Sequence, residues 1–308
     1  MRLIQTTRSF LEMIRFSHTL FALPFAMLAA VMAWTVRAEP AVSFEMWHLV
    51  GILVAMVGAR SAAMAFNRLV DERIDAANPR TAKRHLPAGI LSRGTVIAFM
   101  LLSIFVFLLG TSLFLPNFLP LLLAGPVLIV LMGYSYAKRF TSLSHFWLGL
   151  ALGLAPVCAW AAIRGNAVIA DQFDLLPAVI LGMAVMFWVA GFDMIYACQD
   201  FEFDRATGLN SMPAAIGLRG ALRLASVCHA ITIVLLGVLP IAYQWAGPDL
   251  GFGWLYGVGV AAIAGLLVYE HRMVRPDDLS RVNAAFFNVN AVISIGLFVI
   301  GVIDLTVI

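Results

Sequence analysis

Two short stretches of this sequence gather carboxylates at intervals of four. The first, NRLVDERIDAANPRTAKRHLPAG (67–89), aligns Asn67, Asp71 and Asp75; the second, GFDMIYACQDFEFDRATG (191–208), holds Asp193, Tyr196, Asp200 and Asp204. On an α-helix a step of four residues turns about 400°, so each set is expected on one helix face. Arg60 lies seven residues before Asn67, on the same face and deeper in an apolar run; Asp193, Asp200 and Asp204 follow one another at intervals of seven and four. Like charges at i, i+4 repel, so something positive is expected among them. Oxygen donors without His or Cys suit Mg²⁺, which takes a few carboxylates together with waters and substrate phosphates. Rimmed by Lys83, Arg84, Lys138 and Arg139, two facing clusters have the makings of a clamp for a metal-bridged diphosphate. One such pair alone reads more readily as a solvated loop; two in corresponding places, each entered from an apolar run, favour a site.

The elements that must position these residues are membrane spans. Of the 308 residues, 62% are hydrophobic and 12% charged, about half the charge of a soluble domain. Nine apolar runs approach the ~20 residues that cross a bilayer: 17–36, 46–69, 94–114, 117–136, 144–164, 173–197, 221–244, 251–270 and 283–306. Helices satisfy their own backbone in lipid, so the expected fold is all-α and polytopic, one domain over 1–308. All Lys and Arg except Arg37, Arg60 and Arg164 fall before the first span, in alternate loops or at the span ends that flank those loops. That bias puts the N-terminus and the acidic motifs on the cytoplasmic side of a plasma membrane, bacterial in the expected setting. It also accounts for the formal charge of +3 without nucleic acid. Arg2, Arg8, Glu12 and Arg15 suit an interfacial helix ahead of the first span; a signal peptide cut near Val36-Arg37-Ala38 is the competing reading, disfavoured because the apolar stretch is long for one. Arg60 and Asp193 are expensive in lipid unless they face a cavity or a partner, and an ion pair between them would also meet that need.

The chain carries a faint internal echo. PAGILSRG (87–94) follows the first motif and PAAIGLRG (213–220) the second, with Pro, Ala, Ile, Arg and Gly in register. Spans one to four and five to eight are thus expected as related units, with the ninth added, and both acidic clusters around one pseudo-axis. Cys158, Cys198 and Cys228 have no metal or redox spacing, and the six scattered histidines form no zinc pattern. Asn288 and Asn290 in the last span are expected to bond between helices.

In combination these residues are similar to the UbiA superfamily of intramembrane prenyltransferases. The first stretch resembles its NxxxDxxxD motif with a following RTxxRxLPxG loop. YSYAKRFT (134–141) resembles its short Tyr-Lys-Arg motif, and residues 191–217 resemble its second DxxxD region. The resemblance runs in family order over essentially the whole chain. It implies helices around a central cavity and transfer of a prenyl chain from its diphosphate to an aromatic acceptor, with Mg²⁺, two ions, as cofactor. Asn67, Asp71, Asp75, Asp200 and Asp204 would hold the Mg²⁺–diphosphate, with Asp71, Asp200 and Asp193 carrying the catalysis. Lys83, Arg84, Lys138 and Arg139 would meet diphosphate oxygens, and Arg60, Asp193, Tyr134 and Tyr196 would line the acceptor side. Where many members carry Lys before the second DxxxD, this chain has Gln199.

The implied partners are a polyprenyl diphosphate, an aromatic acid and membrane lipid. The loop wording is most similar to the 4-hydroxybenzoate polyprenyltransferases of ubiquinone synthesis, with 1,4-dihydroxy-6-naphthoate of a menaquinone route as the alternative acceptor. Either offers a carboxylate to an arginine such as Arg60. A CDP-alcohol phosphotransferase would need DG, AR and GxxxD elements that neither cluster supplies. A secondary transporter would place its carboxylates at midplane, whereas these stand at helix ends.

Overall fold

The structure, a computed structural model, describes residues 19–307. The expected interfacial helix over the first 16 residues lies outside the described residues. The described chain is helical without strands: α1 (Thr19–Thr35), α2 (Met46–Ala77), α3 (Arg93–Ser112), α4 (Leu119–Ala137), α5 (Ser144–Ala170), α6 (Leu176–Ala197), α7 (Phe201–Thr207), α8 (Met212–Val238), α9 (Trp254–Met273) and α10 (Asn290–Thr306). Eight stretches among the described residues are long and apolar enough to cross a membrane, and Phe21–Thr35 is a shorter apolar helix. The nine expected spans are therefore present, and the chain is an integral membrane protein.

The Cα framework forms two compact units, one containing Met46–Tyr136 and the other Leu20–Glu45 with 137–307. In the first unit α2 and α3 approach closely because small residues meet. A Cβ at Gly58 would fall 2.5 Å from the backbone nitrogen of Phe107, and one at Gly110 would fall 2.5 Å from that of Ala55. Small residues at such seams let backbones approach where water supplies no hydrophobic drive. Ala59, Phe107 and Ala124 join α4 to the pair. Leu86 and Leu91 pack on Ala65 and Val96, which pins the charged loop after α2. At 32 residues α2 spans about 48 Å, well beyond the ~30 Å apolar thickness. Its last turns, expected to end near residue 69, carry the first acidic motif out of the apolar region.

In the second unit Gly149 and Gly153 of α5 meet the backbone of Met186 and Gly182 of α6, and Gly191 of α6 meets His229 of α8. Ala190, Met194, Ile195, Ala225, Cys228, Val274, Val282 and Ala285 form its core. Several of its buried polar groups are paired. Arg164 donates to Asp174 through Nη2 at 2.6 Å and to the Pro40 carbonyl through Nη1 at 2.9 Å, and Trp160 Nε1 donates to Asp174 at 2.9 Å. Arg164, set apart above from the basic residues of the first segment and the alternate loops, is thus a buried structural residue, 1% exposed. Asp304 of α10 accepts the N–H groups of Gly253 and Tyr256 at 2.6 and 3.0 Å, satisfying donors that the start of α9 leaves open. Asn290 accepts from Trp188 Nε1 at 2.9 Å and donates to Glu270 at 3.0 Å, so it does bond between helices.

Two departures from regular helix bear on the site. Gly217 has φ +74°, a conformation open to glycine, and separates the short start of α8 from its apolar run. Residues Cys198–Asp200 form a 3₁₀ turn between α6 and α7. Asp193 and Asp204 therefore do not share one continuous α-helix, contrary to the interval reading, because the chain tightens between them.

Candidate active site

In the first unit, α2 delivers Arg60, Asn67, Asp71 and Asp75 from one helix, as their spacing requires. Asn67 Nδ2 donates to Asp71 Oδ2 at 2.8 Å, while Asn67 Oδ1 accepts from Arg68 at 3.2 Å. Asp75 stands two residues before the helix end, where the helix dipole opposes a negative charge. The last turn itself contains no basic residue. Arg84 supplies the charge from the following loop: its Nη1 lies 2.6 and 2.7 Å from the two oxygens of Asp75. Arg68, buried, adds a second positive charge 3.7 Å from Asp75. Thr81 Oγ1 donates to the Asp75 carbonyl at 3.0 Å, and the Arg80 N–H donates to Asn78 Oδ1 at 2.9 Å, folding the loop back onto the helix end. The positive groups expected among the carboxylates are thus partly the chain's own. Arg60 Nε is buried and has no hydrogen-bond partner among the described residues. Lys83 is exposed, and Tyr134 on α4 is half-buried.

In the second unit, Asp200, which ends the 3₁₀ turn, and Asp204, in α7, are buried, 8% and 2% exposed. Lys138 Nζ is 3.8 Å from Asp204 Oδ2. Its backbone is held by Asn210, whose N–H donates to the Lys138 carbonyl at 2.8 Å. Arg139 is exposed. Asp204 Oδ2 itself is buried without a hydrogen-bond partner among the described residues. A hard carboxylate oxygen left in that state fits a divalent cation. Among the described residues no three His, Cys, Asp or Glu side chains close into a metal cage; Mg²⁺ needs none where waters and phosphates complete its shell. Gln199 points its amide to Asn283 Oδ1 at 3.5 Å.

Tyr196 lies against Phe286 with ring centroids 4.4 Å apart. Asp193 is paired with a residue the sequence reading did not select: His145 Nδ1 is 2.7 Å from Asp193 Oδ2. The signal was present, since His145 is an ionisable residue at the head of an apolar run, the argument already applied to Asp193 and Arg60. Arg68 was missed because it was counted as an ordinary loop charge.

Comparison with known proteins agrees with this architecture. The UbiA prenyltransferase family profile matches residues 22–292. A 4-hydroxybenzoate octaprenyltransferase of Cupriavidus pinatubonensis is 32% identical over 228 residues, 74% of each chain. The apo structure of a UbiA homologue from Aeropyrum pernix K1 matches with a TM-score of 0.79 at 33% identity, over 93% of this chain and 97% of that one. A UbiA homologue from Archaeoglobus fulgidus, solved bound to DMAPP and Mg²⁺, shares the fold with a TM-score of 0.68 at 18% identity, over 97% of this chain and all of that one. With the family match covering most of its length and a relative 32% identical over 74% of both chains, the chain belongs to the UbiA prenyltransferase family and is a membrane-embedded prenyltransferase.

Proposed function

We propose that this protein transfers a polyprenyl group from its diphosphate to 4-hydroxybenzoate in a Mg²⁺-dependent reaction of ubiquinone-type synthesis. The observation that carries the diphosphate half of this reading is Asp204, a buried carboxylate whose Oδ2 has no hydrogen-bond partner among the described residues and lies 3.8 Å from the Lys138 ammonium. The acceptor is assigned from the relative's name and the loop wording. The family's motifs imply that Asn67, Asp71 and Asp75, and likewise Asp200 and Asp204, would hold the Mg²⁺–diphosphate. Bound Mg²⁺ supplies positive charge that stabilises the leaving diphosphate.

The chain's own residues do the rest. Lys138, Lys83 and Arg139 meet diphosphate oxygens as cationic donors. Arg84 has a different first duty, since it neutralises Asp75 and keeps that carboxylate in place beside the helix end. Departure of diphosphate leaves an allylic cation, and the faces of Tyr196 and Phe286 offer it a stabilising aromatic surface. The apolar wall around α6, including Val189, Phe192 and Met194, excludes the water that would quench it. Arg60 and Tyr134 serve the acceptor, Arg60 through its carboxylate, and Asp193 accepts the hydrogen bond of its hydroxyl while the ring carbon beside that hydroxyl bonds to the allylic cation and releases its proton. The motifs open to the cytoplasmic side of a bacterial plasma membrane, in line with the distribution of Lys and Arg.

Membranes containing the protein, Mg²⁺ and a long polyprenyl diphosphate are incubated separately with 4-hydroxybenzoate and 1,4-dihydroxy-6-naphthoate, and product is read by mass spectrometry. Prenylated 4-hydroxybenzoate is the expected product. Product from the naphthoate alone would move the enzyme to a menaquinone route, and product from neither would overturn the acceptor assignment.

A further inference from the structure

His145 sits in the first turn of α5 with its side chain fully buried, 0% exposed. Both ring nitrogens are engaged. The backbone N–H of Met212 points at Nε2 at 3.2 Å, and Nδ1 is 2.7 Å from Asp193 Oδ2. A backbone N–H can only donate, so Nε2 must be the unprotonated acceptor. The proton of the neutral ring is then on Nδ1, and His145 donates it to Asp193. Met212 opens α8, so the imidazole is held from a neighbouring element and its orientation is not left to its own rotamer.

Asp193, in turn, has one oxygen committed and one not. Oδ2 accepts from His145, whereas Oδ1 has no protein hydrogen-bond partner among the described residues, and the side chain is 18% exposed. With Oδ2 fixed by His145 and the side chain partly exposed, the carboxylate keeps one oxygen, Oδ1, for a further donor. Because Nε2 is occupied by the Met212 N–H, a proton cannot pass through the ring to a further group without breaking that bond. The imidazole orients and does not relay. The second link matters for a two-substrate site: Met212 follows the segment in which Asn210 holds the backbone of Lys138. The same short stretch of chain thus steadies Asp193 through His145 and Lys138 through Asn210.

We propose that His145 is a positioning residue that fixes Asp193 so that Oδ1 accepts the hydroxyl of the aromatic acceptor. This rests on the reading of Asp193 as the acceptor-side carboxylate. The role belongs to the Nδ1–H donor and not to the bulk of the ring, which distinguishes it from simple packing. An asparagine amide nitrogen reaches the place of Nδ1, a glutamine amide that of Nε2, and phenylalanine fills the volume without a donor.

The test compares His145→Asn, His145→Gln and His145→Phe in the full chain reconstituted in nanodiscs, with Mg²⁺, a polyprenyl diphosphate and varied 4-hydroxybenzoate. His145→Asn is expected to keep kcat within about threefold, since it retains the donor. His145→Gln and His145→Phe are expected to lose kcat about a hundredfold, as misplacing a reacting group by about 1 Å does, while KM for the prenyl diphosphate stays within about twofold. Adding Asp193→Asn to His145→Phe is expected to produce little further loss, because the two act as one unit. Thermal unfolding of each variant reports folding. Equal losses in all three variants, or full turnover by folded His145→Phe, would overturn the positioning role while leaving the reaction intact. A wild-type chain that prenylates no aromatic acid would overturn the reaction assignment itself, and the proposal with it.

Discussion

Arg84 reaches back nine residues to place Nη1 2.6 and 2.7 Å from the two carboxylate oxygens of Asp75. The pair joins the charged loop to the end of α2 and offsets a negative charge at a helix C-terminus, where it is disfavoured. Asp75 is buried and Arg84 is about a quarter exposed, so solvent screens the contact only in part. Arg84→Ala is expected to lower stability by about 1.5–3 kcal/mol, the range for a hydrogen bond to a charged group. Arg84→Ala and Asp75→Ala should be strongly non-additive in thermal unfolding of detergent-solubilised protein. Additive losses would mean that the two do not support each other.

Lys138 approaches Asp204 at 3.8 Å, while Asp204 Oδ2 has no hydrogen-bond donor among the described residues. Lys138→Ala is expected to raise KM for the prenyl diphosphate about tenfold or more, in keeping with loss of a charge-assisted contact. Asp204→Asn should abolish Mg²⁺-dependent binding of the diphosphate substrate with little change in thermal stability, because Oδ2 accepts no hydrogen bond among the described residues and its contact with the Lys138 ammonium is long. Retained Mg²⁺-dependent binding by Asp204→Asn, measured calorimetrically, would remove Asp204 from the site.

Arg164 and Asp174 are a buried ion pair with Trp160 and the Pro40 carbonyl completing its hydrogen bonds. Asp174→Ala strands a guanidinium and is expected to destabilise by about 3–5 kcal/mol. Replacing both charges, as Arg164→Met with Asp174→Leu, should recover much of that loss. Thermal unfolding of the single and double variants checks both statements, and catalysis by the double variant should be near that of the wild type.

Gly58 lets α3 approach the backbone of α2. Gly58→Ala places a methyl against Phe107 and is expected to cost about 1–3 kcal/mol through overpacking. Gly257 has open space around its Cβ position, and Gly257→Ala should be neutral or slightly stabilising in the same thermal assay.

The parts of this architecture that the sequence made legible are those that depend on local periodicity. The nine spans follow from apolar length, and Asn67, Asp71 and Asp75 fall on one helix because α2 continues regularly to Ala77. The second motif was harder to place because Cys198–Asp200 tightens into a 3₁₀ turn, which no residue type in CQD announces. Arg164 was read as a charge that helps to orient the chain, yet it is neutralised by Asp174 from the next turn of chain; a charge count does not see such pairing. His145 and Arg68 were missed for a related reason. Their meaning lies in partners, 48 residues away for His145 and seven for Arg68, and the first separation leaves no periodic trace.

The central claim is that this chain performs Mg²⁺-dependent prenyl transfer to an aromatic acid, and one measurement tests it most directly. Purified protein in nanodiscs is given a polyprenyl diphosphate and 4-hydroxybenzoate, and the prenylated acid is quantified with Mg²⁺, with excess chelator, and after Mg²⁺ is restored. The account predicts product with Mg²⁺, none with chelator, recovery on readdition, and none at any Mg²⁺ level from the Asp71→Asn, Asp200→Asn double variant. Undiminished product in chelator, or from the double variant, would contradict it.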